Sequence, residues 1–141
     1  MAFRGPVEDR LAIRELIESY GDAVSRYDRD DWAANWAEDS VWTLNLPDLP
    51  RVEGRQAIVD LWVKAMSDYE WVLMRFSPGE ILIDGDKATG RCYTSEVTRL
   101  KTGEEQRIMG RYIDEYVKRN GRWLIKSREY TMLHLQSLGK R

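Results

Sequence analysis

The sequence predicts an α+β domain with three helices packed on a strongly curved, mostly antiparallel sheet that encloses a pocket. Apolar residues recur at helical spacing in the first half of the chain, whereas the chain from Tyr69 onward reads as a series of strands. The pair Asn120-Gly121 separates two of these strands and is a strong signal for a two-residue hairpin turn. Helices followed by a run of strands are typical of the α+β class.

Three helices are predicted in the first half of the chain. The first runs from about Val7 to Asp28, with one apolar stripe formed by Ile13, Leu16, Ile17, Tyr20, Val24 and Tyr27. A short second helix follows, capped by Asp30 or Asp31, with Trp32 and Trp36 on one face. After a strand over 41–45 and a loop over 46–54, the third helix presents an apolar face of Ile58, Leu61, Trp62 and Ala65.

Four or five antiparallel strands are predicted in the second half. Their expected ranges are 70–77, 80–83, 88–100, 106–118 and 123–135, separated by glycine-containing turns after the second and third. A strongly curved sheet closed by a long helix leaves a cone with an open mouth. Such a cone is a natural binding site for a small molecule.

The composition describes a single folded domain over residues 1–141, with 43% hydrophobic and 33% charged residues. A net charge of −2 gives no field that would attract nucleic acid. The single cysteine, Cys92, excludes an internal disulfide framework, and the single histidine, His134, excludes sites that need several His ligands. The acids Asp28, Asp30 and Asp31 could suggest a metal site but are interpreted as helix caps, so no metal or cofactor is expected. Without an apolar leader or membrane-spanning run, a cytoplasmic protein is expected.

Two groups of residues carry a family resemblance. The first comprises segment 12–17, Tyr20, Asp28, Trp32 and segment 36–39. The second comprises segment 110–116, segment 120–123 and Arg128. In order and spacing they resemble the SnoaL-like branch of the nuclear transport factor 2-like superfamily. The resemblance implies a cone of three helices and a curved sheet, and a frequent dimeric or trimeric state.

The resemblance also implies catalytic residues. In the branches that contain scytalone dehydratase and hexachlorocyclohexane dehydrochlorinase, an Asp at the end of the first helix works with a His on the strand after the third helix. Asp28 matches that Asp, Tyr27 matches a tyrosine before it in scytalone dehydratase, and Arg128 matches a pocket arginine of the dehydrochlorinase. The partner His is missing, since segment 73–77 reads Leu-Met-Arg-Phe-Ser. A second His, which scytalone dehydratase has on a middle strand, is also absent, and Glu96 and Thr98 lie near its position.

Further residues are candidates for contact with a ligand in the cone: Tyr20, Trp42, Trp62, Arg75, Phe76 and Glu96. The alternative is that the aromatic members only build the core. An arginine facing an enclosed cone needs an acidic partner or an anionic ligand. For Arg128, a two-residue hairpin turn places Ile113 directly opposite, unless a bulge shifts the pairing.

Two functions from different classes follow. The first is a cofactor-independent lyase, dehydratase or isomerase that acts on a small, largely apolar, oxygenated molecule, with an epoxide-hydrolase-like enzyme as its chemical neighbour. The second is a non-catalytic ligand-binding or assembly domain that has kept the cone and lost the His. The expected partners are a small molecule in the cone and a second copy of the chain, with a dimer favoured over a trimer. No nucleic acid or membrane partner is expected.

Overall fold

The computed structural model describes residues 2–141 and contains three helices and seven strands. The helices are α1 (Val7–Arg26), α2 (Arg29–Ala33) and α3 (Arg55–Met66). The strands are β1 (Phe3–Arg4), β2 (Trp36–Leu46), β3 (Leu49–Glu53), β4 (Tyr69–Asp84), β5 (Lys87–Leu100), β6 (Glu104–Arg119) and β7 (Arg122–Lys140). The predicted α+β class is confirmed.

The seven strands form one mixed, unclosed sheet in the order β1-β4-β5-β6-β7-β2-β3. Strands β4 to β7 pair antiparallel with their neighbours, whereas β1 pairs parallel with β4 and β2 pairs parallel with β7. The buried stripe of α1 shares a hydrophobic core with the inward-facing residues of the sheet. No helix in residues 2–141 has the length and apolar character needed to cross a bilayer.

The predicted hairpin turn is confirmed. Arg119 pairs with Arg122 across the two intervening residues, Asn120 and Gly121, whose φ angles are 52° and 75°. Positive φ at both central residues is the requirement of a type I′ turn, and the Asn-Gly pair meets it. The turn starts the pairing of β6 with β7, the two strands that carry Asp114 and Arg128.

Other boundaries differ from the sequence prediction. Segment 46–54, expected as a loop, contains β3, an edge strand that tolerates Pro50 because one side of it has no partner. The two strands expected at 70–77 and 80–83 are one strand, β4, with an irregularity between Pro78 and Ile81. Trp36 opens β2 instead of sharing a helical face with Trp32.

Candidate functional site

The inner face of β5 lies at the centre of the candidate site. Cys92, Thr94 and Thr98 are buried and alternate with outward residues, and Glu96 has the same orientation. The register of β5 with β6 is continuous from Lys87 to Arg99, so no bulge changes this alternation. Glu96 therefore points into the cone between two buried threonines.

The Glu96 carboxyl has apolar neighbours and no ionic partner. Met74 on β4 and Ile108 on β6 are the residues directly opposite it. Within residues 2–141, the side chain of Glu96 forms no hydrogen bond and no salt bridge. Burial raises the pKa of Glu96 from 4.5 to about 7. A carboxyl with this pKa exchanges a proton near neutral pH, as a general acid or base must.

Four tyrosines from four different elements lie near enough to this carboxyl for its charge to act on their phenols. Burial raises the pKa of each phenol, and the charge of Glu96 raises it further in every case. They are Tyr20 on α1, Tyr69 on β4, Tyr112 on β6 and Tyr130 on β7. With raised pKa values, all four phenols stay protonated at neutral pH and can donate hydrogen bonds to a ligand oxygen.

A glycine gives Tyr130 its place in this group. A Cβ at Gly110 would lie 2.6 Å from the ring and the hydroxyl of Tyr130, so the ring crosses the strand where a side chain is absent. Thr94 pairs with Gly110 on the other side, and Tyr112 contacts Tyr130 edge-on with ring centroids 5.1 Å apart. The burial that this packing causes raises the pKa of Tyr130 to about 12.

Arg128 faces the interior and forms a buried ion pair with Asp114. Its Nε and Nη2 donate to Oδ1 and Oδ2 of Asp114, each at 2.8 Å, and both side chains are fully buried. The pairing expected from sequence is shifted by one residue, because Lys126 is an extra residue in β7. Pairing runs from Tyr116–Ile125 to Glu115–Ser127, so Arg128 lies opposite Asp114 and not opposite Ile113.

Aromatic rings enclose the guanidinium of Arg128. Its central carbon lies 4.1 Å from the centroid of Tyr112, 4.5 Å from Tyr20 and 5.5 Å from Phe76. Burial alone would lower the pKa of Arg128, but the Asp114 carboxylate outweighs it and keeps the guanidinium charged. Nη1 remains without an acceptor. A buried donor with no acceptor is costly, so this atom can attract a ligand or water oxygen.

Tryptophans form the adjoining wall. Trp62 stacks on Trp32 with ring centroids 4.6 Å apart, and Trp42 lies 5.7 Å from both Trp32 and Trp36. The indole N–H groups of Trp32, Trp36 and Trp42 are buried without an acceptor. Trp42, Trp62, Phe76 and Tyr20, all predicted to contact a ligand, thus line the same aromatic interior. Whether they touch a ligand stays a prediction.

Asp28 lies elsewhere, at the junction of α1 and α2. Its carboxylate caps α2 by accepting a hydrogen bond of 3.0 Å from the N–H of Asp31, and it forms an ion pair of 3.1 Å with Arg26. This cap replaces the predicted caps Asp30 and Asp31. The Asp31 N–H first, and then Arg26, hold the pKa of Asp28 below its usual range. The expected position inside the cone is therefore corrected, since the side chain is 38% exposed.

Tyr27 and Arg75 are also exposed and do not belong to the buried interior. Tyr27 ends α1 in the left-handed conformation, is half exposed and stacks on Trp62 at 5.6 Å. Arg75 lies on the outer face of β4 and is exposed, because strand alternation turns Met74 and Phe76 inward. The expectation that Arg75 faces the cone is wrong.

Two cavities open on the surface, and neither is lined by Glu96 or Arg128. One of about 370 Å³ is lined by Tyr27, Tyr69 and Lys101, among others, so it borders one of the four tyrosines around Glu96. Another of about 460 Å³ involves Arg119 and Lys126 and contains no residue predicted for the site. These two cations are held by Asp39 at 2.7 and 2.8 Å. The second cavity therefore adds nothing to the Glu96 site.

Sequence reasoning missed Asp114, Tyr69, Tyr112 and Tyr130 as site residues. Asp114 could have been found, because Tyr-x-Asp-x-Tyr over 112–116 places the carboxylate on the same strand face as two tyrosines. Tyr69 and Tyr130 carried no comparable signal. Their position depends on how strands that are distant in sequence come together around Glu96.

Comparisons with known proteins agree with this architecture. The family described as a SnoaL-like domain matches residues 6–129. A hexachlorocyclohexane dehydrochlorinase, LinA type 2, has a TM-score of 0.85 and 20% identity over 94% of this chain and 90% of its own. A candidate scytalone dehydratase from Novosphingobium aromaticivorans DSM 12444 has a TM-score of 0.82 and 21% identity over 96% and 91%. Both likenesses show the nuclear transport factor 2-like cone fold.

A third solved structure, a protein of unknown function from Mycobacterium tuberculosis, is 25% identical with a TM-score of 0.72 over 91% of this chain and 76% of its own. Curated proteins gave no match. The comparisons thus establish the fold and the family, whereas the chemistry must be argued from the residues of this chain.

Proposed function

The chain belongs to the SnoaL-like domain family, and on that premise we propose that it is a cofactor-independent lyase, dehydratase or isomerase. Its substrate is a small, largely apolar, oxygenated molecule bound in the cone, and Glu96 transfers the proton. The observation that carries this proposal is the inward-facing Glu96 carboxyl, without an ionic partner and with tyrosines nearby.

Glu96 replaces, as the proton-transfer group, the catalytic His that the family resemblance implies and that this chain lacks. Met74, in the segment where a His was expected, lies directly opposite Glu96 across the strand pair. Ionised Glu96 removes a proton from a carbon of the bound molecule, and the protonated acid returns it to another atom. A pKa near the working pH makes both steps possible with one group.

Tyrosines stabilise the charge that develops on the substrate oxygen. The phenols of Tyr69 and Tyr130 remain protonated at neutral pH, so they act as donors to an oxygen that becomes negative as the C–H bond breaks. The pKa values of Tyr20 and Tyr112 are raised by the charge of Glu96 and lowered by that of Arg128. These two tyrosines therefore lie near both the carboxyl and the buried guanidinium. The oxygen can accept a hydrogen bond from Nη1 of Arg128.

The test is the ring-opening elimination of 5-nitrobenzisoxazole, a neutral aromatic probe. A base removes the ring C–H proton, the N–O bond breaks, and a coloured phenolate forms. We expect a protein-dependent rate that rises with pH through about 7 and falls at least about a hundredfold in Glu96→Gln. Glu104→Gln, an exposed change on β6, is the matched control. Equal rates in wild type and Glu96→Gln would contradict the proposal.

A non-catalytic ligand-binding domain is the second candidate. It is favoured by the Asp114–Arg128 pair, because a buried arginine that already has a carboxylate partner needs no anionic substrate to balance its charge. This candidate expects the probe to quench tryptophan fluorescence by binding without being converted. The epoxide-hydrolase-like alternative needs an arginine between two acids, and in residues 2–141 Asp114 is the one acid that contacts Arg128.

A further inference from the structure

We propose that Asp114 is a positioning residue that determines which ligand charge the cone accepts. By neutralising Arg128, it makes the interior select a neutral oxygen acceptor, such as a ketone, over a carboxylate. The inference rests on the proposed function in one respect, namely that the oxygen-bearing group of the ligand enters the cone.

The buried pair of Arg128 and Asp114 adds no net charge to the interior. Arg128 and Asp114 are joined by two parallel hydrogen bonds and are both fully buried, so their net charge is zero. Tyr116 donates a third hydrogen bond of 2.6 Å to Oδ2 of Asp114 and fixes the carboxylate. A ligand carboxylate would be desolvated on entry and would meet Asp114 as a like charge.

The pairing with Asp114 also limits which atoms of the Arg128 guanidinium a ligand can contact. Asp114 occupies the edge formed by Nε and Nη2, and the rings of Tyr20 and Tyr112 lie within 4.5 Å of its central carbon. Nη1 is left as the donor without an acceptor. One oxygen with free lone pairs, such as a carbonyl oxygen, satisfies this donor without adding charge.

Apart from Asp114, the polar groups around Arg128 are hydrogen-bond donors that carry no charge. Tyr20 contacts Arg128, Trp32 and Trp36, and the indole N–H groups of both tryptophans also lack acceptors. Arg128 is the one cation among the buried residues of the described chain. The interior therefore offers several donors but no uncompensated positive charge, which suits a neutral acceptor.

The experiment compares acetophenone with benzoate, which have similar shapes and differ in charge. Affinities are measured by tryptophan fluorescence at pH 6, where Glu96 is mainly protonated and benzoate is ionised. We expect wild type to bind acetophenone at least about tenfold tighter than benzoate. Asp114→Asn leaves Arg128 uncompensated, and the ratio should shift at least about tenfold towards benzoate. Tyr116→Phe keeps the carboxylate, so it should keep the wild-type preference.

A merely structural role for Asp114 would weaken both probes together and leave their ratio unchanged, which would overturn the proposal. Equal or tighter binding of benzoate by wild type, or no binding of either probe at millimolar concentration, would overturn it without any variant. If Asp114→Asn does not fold, the wild-type ratio is the second measurement, because an Arg128 neutralised by Asp114 predicts a clear preference for acetophenone. Turnover of 5-nitrobenzisoxazole tests the proposed function separately.

Discussion

Replacing Glu96 with Gln should stabilise the protein at alkaline pH while it removes the proposed proton-transfer group. The ionised carboxylate is unfavourable in its buried place, and no cation compensates it within the described chain. Gln has nearly the same shape and carries no charge, so it avoids the cost of ionisation. A functional group that opposes folding in this way is common at active sites.

The magnitude follows from the pKa. Folding raises the pKa of Glu96 from 4.5 to about 7, so the folded state binds the proton more tightly than the unfolded state. The contribution of Glu96 to stability is therefore highest below pH 4.5, falls as the pH rises towards 7, and is level above it. At 1.36 kcal/mol per pH unit, the loss amounts to about 3 kcal/mol.

The assay is urea denaturation followed by tryptophan fluorescence at pH 4.5 and pH 8. Glu96→Gln should have nearly the wild-type free energy of unfolding at pH 4.5 and exceed it by about 3 kcal/mol at pH 8. Taking the difference between variant and wild type cancels the titration of the other groups. Glu104→Gln should show no such pH-dependent difference. The same difference at both pH values for Glu96→Gln would refute a raised pKa.

Three further outcomes follow from the structure. Asp28→Asn should keep the 5-nitrobenzisoxazole rate and nearly all stability, because Asn caps helices as well as Asp; a large loss of rate would restore the role implied by the resemblance. Gly110→Ala should cost about 1–3 kcal/mol and lower the rate, since its Cβ would collide with Tyr130; an unchanged melting temperature would contradict this packing. Exposed Leu73, Tyr93 and Ile113 on the outer sheet face should mediate a homodimer, which Tyr93→Glu should dissociate. Sedimentation of the wild type as a 16.6 kDa species alone would exclude this dimer.

Local sequence patterns were sufficient for the fold. The Asn120-Gly121 turn and the apolar stripe of α1 from Ile13 to Val24 depend on short-range spacing and were found where predicted, whereas Tyr27, the last residue expected in the stripe, is an exposed C-cap. The strand β3 was missed because its Pro50 is a loop signal unless the strand is known to lie at a sheet edge. Edge position is a property of the whole sheet and cannot be read from a five-residue segment.

The site was less predictable, because its geometry depends on long-range packing. The orientation of Arg128 is set by the bulge at Lys126, and a one-residue shift turns every later side chain to the other face. Asp28 was placed in the cone by resemblance, whereas the adjacent Arg26 and the start of α2 hold it as a cap. Glu96 was a candidate, but its importance arises from tyrosines on four elements that the sequence does not bring together.

The most direct test of the account is the titration of Glu96 itself. The side-chain carboxyl carbons can be labelled with ¹³C and followed by NMR as the pH is raised, with Glu96→Gln used to assign the resonance. We expect a midpoint near 7 for Glu96, because its carboxyl is buried and has no ionic partner. A midpoint near 4.5 would mean that the carboxyl is solvated or paired, and the proposed acid–base role would then be wrong.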